Sequence, residues 1–477
     1  MSYNPTKIVC TLGPSSETEA VLERMIRAGM DVARLNFSHG SHDDHARVFE
    51  LVRKVADRLG THIGVVADLQ GPKIRTGELV GGKPVELAAG ARVCLTTVAC
   101  PGTAECVSTT YQALPSDVSP GARLLLDDGL LELVVEEVGA TDIQCRVVTG
   151  GSLGEHKGIN LPGCEVSAPS LTDKDKADAS FALALGVDYL ALSFVRRPED
   201  IDELRAFCRG EGQEIPIITK LEKPQALQCL REIVQMSDAV MVARGDLGVE
   251  LPPEEVPVWQ KRITAECARA GIPVITATQM LESMRESPRP TRAEASDVAN
   301  AIFDGTDAVM LSSETAVGQY PVEAVAMMRR IACVAEGEQR RWRHREWLPP
   351  ATDEEELSVA DAVSRAATRV AEEVRAQAIV AFTESGSTAR SASKRRPRVP
   401  IVACTPSAAT ARRCSLYWGV RSVVVGSVSA TDAMIETTTR EVKRLGLVKP
   451  GDRIVLTAGV PMGRPGTTNT MRVETIH

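Results

Sequence analysis

No stretch of this 477-residue chain approaches the ~18–20 consecutive apolar residues that a membrane-spanning helix requires. The opening MSYNPTKIVC carries no apolar core of the kind found in a secretory leader. The expectation is a cytoplasmic protein that meets no membrane. No CxxC occurs among the 12 cysteines, which are scattered through apparent helices and strands. In a chain this long they read as reduced, buried thiols rather than a disulfide framework. Cys94, Cys100 and Cys106 are evenly spaced, but no histidine or fourth thiol lies nearby, so no metal site is expected there. Basic charge is not in excess: the net charge is −8. That argues against nonspecific nucleic-acid binding, yet leaves room for a local basic pocket. Phosphate-loop signatures are missing as well. There is no GxxxxGK[ST], and no GxGxxG opens a helix after a strand, so a nucleotide, if used, is not held by a P-loop.

What is present begins with a repeating unit. The chain is too long for one core and should form two to four domains. Short apolar runs at residues 7–12, 32–37, 63–69, 188–194, 215–220, 239–243, 272–277 and 307–311 read as strands. Amphipathic segments at 18–28, 43–59, 173–185, 199–208, 225–234, 254–270, 291–302 and 322–334 read as helices between and after them. Strand-then-helix repetition implies parallel pairing with right-handed crossovers, and eight units suggest a closed (β/α)8 TIM barrel. Such barrels act at the carboxyl ends of their strands. Here those ends carry Arg34, Asn36 and Ser38; Asp68; Ser193; Lys220 with Glu222; Arg244, Gly245 and Asp246; Thr278 and Gln279; and Ser313, Glu314 and Thr315. Polar residues closing seven of eight apolar strands are more than core packing alone would give.

Residues 71–167 interrupt the barrel pattern. They are rich in Val, Leu, Gly and Thr, alternate over 130–138 and 143–148, and are punctuated by the turn signals GGKP, SPGAR and DDG. This reads as an inserted all-β lid domain. Past residue 339 the stretch RRWRHREWLPPATDEEE reads as a helix end and linker. A helix to residue 375 and strands at 378–382, 399–403, 422–425, 453–457 and 471–476 then form a separate C-terminal open-sheet α/β domain. The expected division is 1–70 with 168–339 for the barrel, 71–167 for the lid and 340–477 for the last domain.

The run IPIITKLE, residues 215–222, puts Lys220 and Glu222 on one side of an extended chain. With Asp246 they could hold a hard cation and steady charge on a transferred phosphoryl group or an enolate. An ion pair at the barrel rim is the plainer alternative. Arg34, Asn36 and Ser38 share a face that suits a phosphate or a cation, or that merely caps the strand. HGSHDDH (His39, His42, His45) looks like a metal motif, but Ser41 as an N-cap with Asp43 and Asp44 in the first turn accounts for it better. In the last domain, TESGST (383–388) before a helix could form an anion nest, with Lys394, Arg395, Arg396 and Arg398 downstream. An ordinary helix cap with a solvated basic end reads equally well.

Taken together the motifs resemble the pyruvate kinase family over nearly the whole chain. TKIVCTLGPSS, AGMDVARLNFSHG, DLQGPKIRTG, KGINLPG, ALSFVR, ITKLEKPQAL, VARGDLGVELP, ATQMLESM, RPTRAEASDVANA and LSSETAVGQYP are all present and in order. The resemblance implies phosphoryl transfer from phosphoenolpyruvate to ADP, giving pyruvate and ATP, in a glycolytic homotetramer. It implies Lys220 as the catalytic lysine, Glu222 and Asp246 as ligands of Mg2+ (or Mn2+), and Arg34 on the substrate phosphate. Gly245, Asp246 and Thr278 would seat the substrate carboxylate, with Thr278 in the proton-delivery region. Arg75 and Lys157 match nucleotide-phosphate positions. Asn36, Ser38, Asp68 and Leu69 match the monovalent-cation pocket.

Three departures matter. Many members read DTKGPEIRTG and require potassium, whereas this chain has Lys73 at the glutamate position. A fixed ammonium can replace the cation, so K+ is expected not to be required. LSSETA has Ser313 where glycine is usual. In the effector region Thr383, Ser385, Gly386, Ser387 and Thr388 fit a phosphate loop, but GRPGTTNT is short and lacks the tryptophan loop of fructose-1,6-bisphosphate-regulated members. A phosphorylated allosteric effector such as AMP or a sugar monophosphate is expected. The competing functions are a nucleotide-independent phosphoenolpyruvate/pyruvate aldolase or lyase barrel, and an inactive metabolite sensor.

Overall fold

Apolar runs whose two faces are both buried form parallel strands, and eight of them close on one another here. The computed structural model describes residues 4–164, 166–341, 358–428, 430–461 and 466–477. The linker at 342–357 and part of GRPGTTNT, residues 463–465, lie outside the described residues. The barrel strands are β1 (Lys7–Thr11), β2 (Val32–Asn36), β3 (Gly64–Asp68), β4 (Tyr189–Leu192), β5 (Ile217–Leu221), β6 (Ala239–Ala243), β7 (Val274–Ala277) and β8 (Ala308–Leu311). Each pairs in parallel with both neighbours, and β1 closes onto β8. This is the expected (β/α)8 architecture.

Side chains alternate through the barrel wall. Ile8, Ala33, Val65, Leu190, Ile217, Val240, Val274 and Val309 point out into the layer shared with the helices. Val9, Val32, Val66, Tyr189, Ile218, Met241, Ile275 and Met310 point in and fill the interior. The barrel is therefore a packed core rather than a pore.

Four barrel helices, those opening after Thr18, Ser41, Thr172 and Thr291, begin where the sequence supplies side-chain acceptors for orphan N–H groups. Ser41 with Asp44, Thr172 with Asp175, and Thr291 with Glu294 all form reciprocal capping boxes. The Asp175 carboxylate also accepts from the Gly71 N–H at 2.9 Å, tying the exit of β3 to the next helix. Two expectations need adjustment. The helix read at 225–234 is two short pieces, Pro224–Gln228 and Leu230–Met236, broken where Cys229 takes φ −118°, ψ 37°. A short helix, Arg244–Glu250, follows β6 directly where only a charged strand end was read.

Between β3 and β4 lies a six-stranded, mainly antiparallel sheet with its own apolar core. Its long strands, Leu131–Val138 and Asp142–Thr149, bury every second residue. The sheet meets the barrel through Asn160, whose side-chain amide donates to Glu250 at 3.1 Å.

The last domain is a five-stranded sheet, four strands parallel and the final one, Thr468–Thr475, antiparallel at an edge. It sits beneath the amino ends of the barrel strands. Tyr417, Leu416 and Cys414 join the cluster that fills the barrel. Lys7 Nζ donates to the Val420 carbonyl at 2.7 Å, the Gly64 N–H donates to Ser415 Oγ at 2.9 Å, and Tyr189 Oη donates to the Arg413 carbonyl at 2.8 Å. Asp307 at the foot of β8 takes Lys394 Nζ at 2.7 Å and Arg396 Nη2 at 2.9 Å. Two members of the basic run after TESGST are thus structural. Lys394 and Arg396 fasten the two domains, while Arg395 and Arg398 face Asp361 and Glu372.

Candidate active site

The inward-facing set continues past the top of the apolar core at its period of two. Val9 leads to Thr11, Val32 to Arg34, Val66 to Asp68, Ala191 to Ser193, and Ile218 to Lys220 and Glu222. The next layer of the interior is accordingly polar. Arg34 Nε donates to Asp68 Oδ2 at 2.6 Å, and Arg34 Nη1 to Thr11 Oγ1 at 2.9 Å. Lys220 Nζ lies 3.3 Å from Asp68 Oδ1 and 2.8 Å from Glu222 Oε1, and donates to Ser193 Oγ at 2.8 Å. These groups are almost fully buried.

Burial works against each of these charges, and pairing decides the outcome. Burial would lower the Lys220 pKa, but Asp68 and Glu222 outweigh it and hold the ammonium above the ordinary lysine value. For Asp68, burial pushes upward, yet Lys220 and Arg34 keep the carboxyl below its usual range. Glu222 ends up raised: burial dominates, Lys220 opposes, and the Asp246 charge adds to the burial effect. Glu222 Oε2 accepts from the Phe194 N–H at 2.8 Å. Its Oε1 meets the Lys220 ammonium at an angle that makes no good hydrogen bond and has no other partner among the described residues. A buried carboxylate oxygen of this kind, with the Asp246 carboxylate near enough for its charge to act on it, is a donor set that fits a hard divalent cation.

Across from Lys220, the Gly245 N–H donates to Thr278 Oγ1 at 2.7 Å. Thr278 has φ 70° and Gln279 φ 54°. A β-branched residue in the left-handed region is strained and needs outside support. Arg244 supplies it, with Nη2 on the Thr278 carbonyl at 2.7 Å, Nε on the Ala277 carbonyl at 3.3 Å, and Nη1 on Asp297 at 2.8 Å.

A cleft of about 480 Å³ opens from this layer toward the inserted sheet. Lys73, Arg75, Lys157 and Asp246 line it. Arg75 pairs with Gly158 in an antiparallel bridge, which brings the neighbouring Lys157 to the same cleft. Lys157 Nζ contacts Asp127 at 2.9 Å, in the tight turn Asp127-Asp128-Gly129 where all three residues have positive φ. Lys73 keeps solvent access although protein crowds it, and that crowding, with the like charge of Lys220, lowers its pKa.

The remaining sequence candidates fall as follows. Asn36 Oδ1 accepts from the Ser38 N–H at 3.2 Å, and the Leu69 carbonyl accepts from Ser193 Oγ at 2.7 Å. With Asp68 paired to Arg34 and Lys220, all these acceptors already have protein donors. Ser313 Oγ donates to the Glu282 carboxylate, at 2.8 and 2.9 Å to its two oxygens, which gives the serine in LSSETA a partner. His42 pairs with Asp178 and the His45 Nε2–H donates to the His39 carbonyl at 3.0 Å, so HGSHDDH is a helix start. Cys94 and Cys106 face each other across adjacent strands, and burial with the neighbouring thiols pushes the Cys106 pKa up to about 12. Among the described residues no group of three or more His, Cys, Asp or Glu is placed to hold a metal.

The 383–388 loop lies apart from this site, in the last domain. Thr383 Oγ1 accepts from the Gly386 N–H at 2.9 Å, Ser385 Oγ donates to Ser387 Oγ at 3.2 Å, and Thr388 and Thr468 share a hydroxyl contact of 2.7 Å. The two segments of the expected effector region are therefore neighbours.

Sequence reasoning placed Ser193 at a strand end without a role, and gave none to Thr11, Phe194 or Arg244. The period of two that links Val9 to Thr11 and Ala191 to Ser193 was a usable signal. Nothing local marked the Phe194 N–H or the reach of Arg244.

Two family models match the chain: "Pyruvate kinase, barrel domain" over residues 3–325 and "Pyruvate kinase, alpha/beta domain" over residues 361–474. The chain is 48% identical over 473 residues to a pyruvate kinase of Staphylococcus epidermidis, covering 99% of this chain and 80% of that protein. A pyruvate kinase of Staphylococcus aureus (strain USA300) is 47% identical with the same coverage. The crystal structure of a pyruvate kinase from Cryptosporidium parvum superposes with a TM-score of 0.92 at 39% identity, covering 100% of this chain and 97% of that one. The chain belongs to the pyruvate kinase family.

Proposed function

We propose that the cleft transfers the phosphoryl group of phosphoenolpyruvate to ADP and then protonates the enolate, releasing pyruvate and ATP. This is the glycolytic reaction of the family to which the chain belongs. The observation that carries the assignment of roles is the position of Lys220. Its ammonium is buried, kept charged by two carboxylates, and set where the packed interior gives way to the cleft. A fixed cation there stabilises charge on the transferring phosphoryl group and on the enolate without reorganising. Arg34, with some of its five N–H donors used by Asp68 and Thr11, grips the substrate phosphate. Gly245, Asp246 and Thr278 seat the carboxylate, and Arg75 and Lys157 hold the nucleotide phosphates. Glu222 and Asp246 are the residues that would hold Mg2+ or Mn2+, which when bound offsets phosphate charge. A lactate-dehydrogenase-coupled assay tests the reading, and turnover without ADP would favour the aldolase or lyase alternative.

The monovalent site is the first finer point. Lys73 approaches Lys220, Asp246 and Glu222 closely enough for their charges to shift its pKa. We assign it the place of a potassium ion, so the enzyme should work without added K+. Lys73→Glu is expected to create potassium dependence, read as activity against KCl with tetramethylammonium chloride holding ionic strength. Equal activity of wild type and variant without potassium would refute this.

We also propose that the 383–388 loop, with Thr468 beside it, binds a phosphorylated effector such as AMP or a sugar monophosphate. Assays with each candidate at subsaturating phosphoenolpyruvate decide between them. The remaining parts of the reading are a homotetramer, a cytoplasmic location, and the domain division 1–70 with 168–339, 71–167 and 340–477. No helix among the described residues is long and apolar enough to cross a membrane.

A further inference from the structure

β4 ends at Leu192, and the next two residues turn a corner. Ser193 keeps the inward face of Tyr189 and Ala191, while Phe194 takes φ 55°. A bulky residue with positive φ is held there by its surroundings, not by its own preference. Gly71 is part of the restraint: a Cβ at that position would stand 2.7 Å from the Phe194 ring and 3.1 Å from Ser193 Cβ. The corner's N–H at Phe194 goes to Glu222, and its hydroxyl at Ser193 meets Lys220. One strained dipeptide thus touches both members of the central charge pair.

The direction of the Ser193 hydroxyl follows from its partners. Two acceptors compete for the single hydroxyl proton, and the Leu69 carbonyl at 2.7 Å takes it from Asp68 Oδ1 at 3.5 Å, since the hydrogen bond weakens steeply with distance. The Ser193 lone pairs are left for Lys220, and an ammonium can only donate. Lys220 lies 3.3 Å from Asp68 and 2.8 Å from Glu222 as ion pairs, and its well-directed hydrogen bond goes to Ser193 at 2.8 Å. Two acceptors pull with full charge. Ser193 is the neutral one, so it sets the direction of Nζ without cancelling its charge.

We propose that Ser193 is a positioning residue for phosphoryl transfer: through its bond to the Leu69 carbonyl it aims the Lys220 ammonium. The proposal rests on the catalytic role assigned to Lys220. Removing the hydroxyl leaves the charges and the carboxylates in place but releases the ammonium to settle between Asp68 and Glu222. Misplacement of a reacting group by about 1 Å costs on the order of 10²-fold in rate.

The test is Ser193→Ala in the full chain. kcat is expected to fall about 10- to 100-fold, with KM for phosphoenolpyruvate within about threefold of wild type, the pattern of an interaction realised only in the transition state. Mn2+ affinity, read from the electron paramagnetic resonance signal of free Mn2+, and the thermal midpoint are expected to stay near wild type. An unchanged kcat overturns the proposal, and so does a loss of kcat matched by an equal loss of Mn2+ affinity or by a lowered thermal midpoint. Wild-type turnover together with an inactive Lys220→Ala upholds the role of Lys220 independently, so the two readings fail separately.

Discussion

Lys220→Ala is expected to lower kcat by at least about 10³-fold while the protein stays folded. The magnitude follows from removing a preorganised cation in a water-poor site, where one aimed donor alone is worth about 10²–10³ in rate. Lys220 also carries a full charge and faces both Asp68 and Glu222. Its removal leaves Glu222, with the Asp246 charge nearby, without the cation that offsets it, and leaves Asp68 with Arg34 alone. Alanine therefore subtracts stabilisation of the phosphoryl group and adds repulsion in the ground state. Lys220→Arg is expected to recover little, because a planar guanidinium cannot place a point charge among three acceptors. The lactate-dehydrogenase-coupled assay at saturating phosphoenolpyruvate and ADP reads the effect. A kcat within tenfold of wild type, with circular dichroism unchanged, would remove Lys220 from the chemistry.

The second large effect is on stability. Asp307→Ala is expected to cost roughly 3–5 kcal/mol, the range for deleting one partner of a buried ion pair. Asp307 Oδ2 accepts from Lys394 Nζ at 2.7 Å and from the Val274 N–H at 2.8 Å, while Oδ1 accepts from Arg396. Lys394 and Asp307 are 5% and 1% exposed, so the stranded ammonium cannot reach water. Burial already lowers the Lys394 pKa, and the Arg396 charge lowers it further, with Asp307 opposing both. Without Asp307 the folded state disfavours the proton on Lys394 more strongly than the unfolded chain does. Stability of the variant should therefore recover as pH rises from neutral toward about 10, where the unfolded lysine also deprotonates. Thermal midpoints across that range check the sign. Asp307→Ala combined with Lys394→Met should regain much of the loss by leaving an apolar pair. A single variant melting within a degree of wild type would end this account.

The barrel and its strand-end chemistry were legible because both obey short periods. Lys220 and Glu222, two apart, must share a face, and the structure puts them 2.8 Å from each other. The (β/α)8 pattern was readable for the same reason, since strand and helix periods differ. What the sequence hid were contacts that depend on topology. Lys394 and Asp307 are 87 residues apart and meet only because the last domain caps the barrel, so KRRPR looked like a surface run. Phe194 was invisible because its contribution is a backbone N–H, which carries no residue signature. The break at Cys229 was likewise masked by an unbroken apolar pattern on either side.

The filling of the barrel does not stop at its floor. Tyr189 and Val32 share one cluster with Leu416 and Val420 of the final domain. The eight-stranded cylinder is accordingly not a portable module. Cutting the chain after residue 341 would uncover the apolar floor of the barrel at Tyr189 and Val32 and would strip Asp307 of both its cations, Lys394 and Arg396. The barrel and the final domain should therefore unfold in one transition, because they share a core and the Asp307 ion pairs.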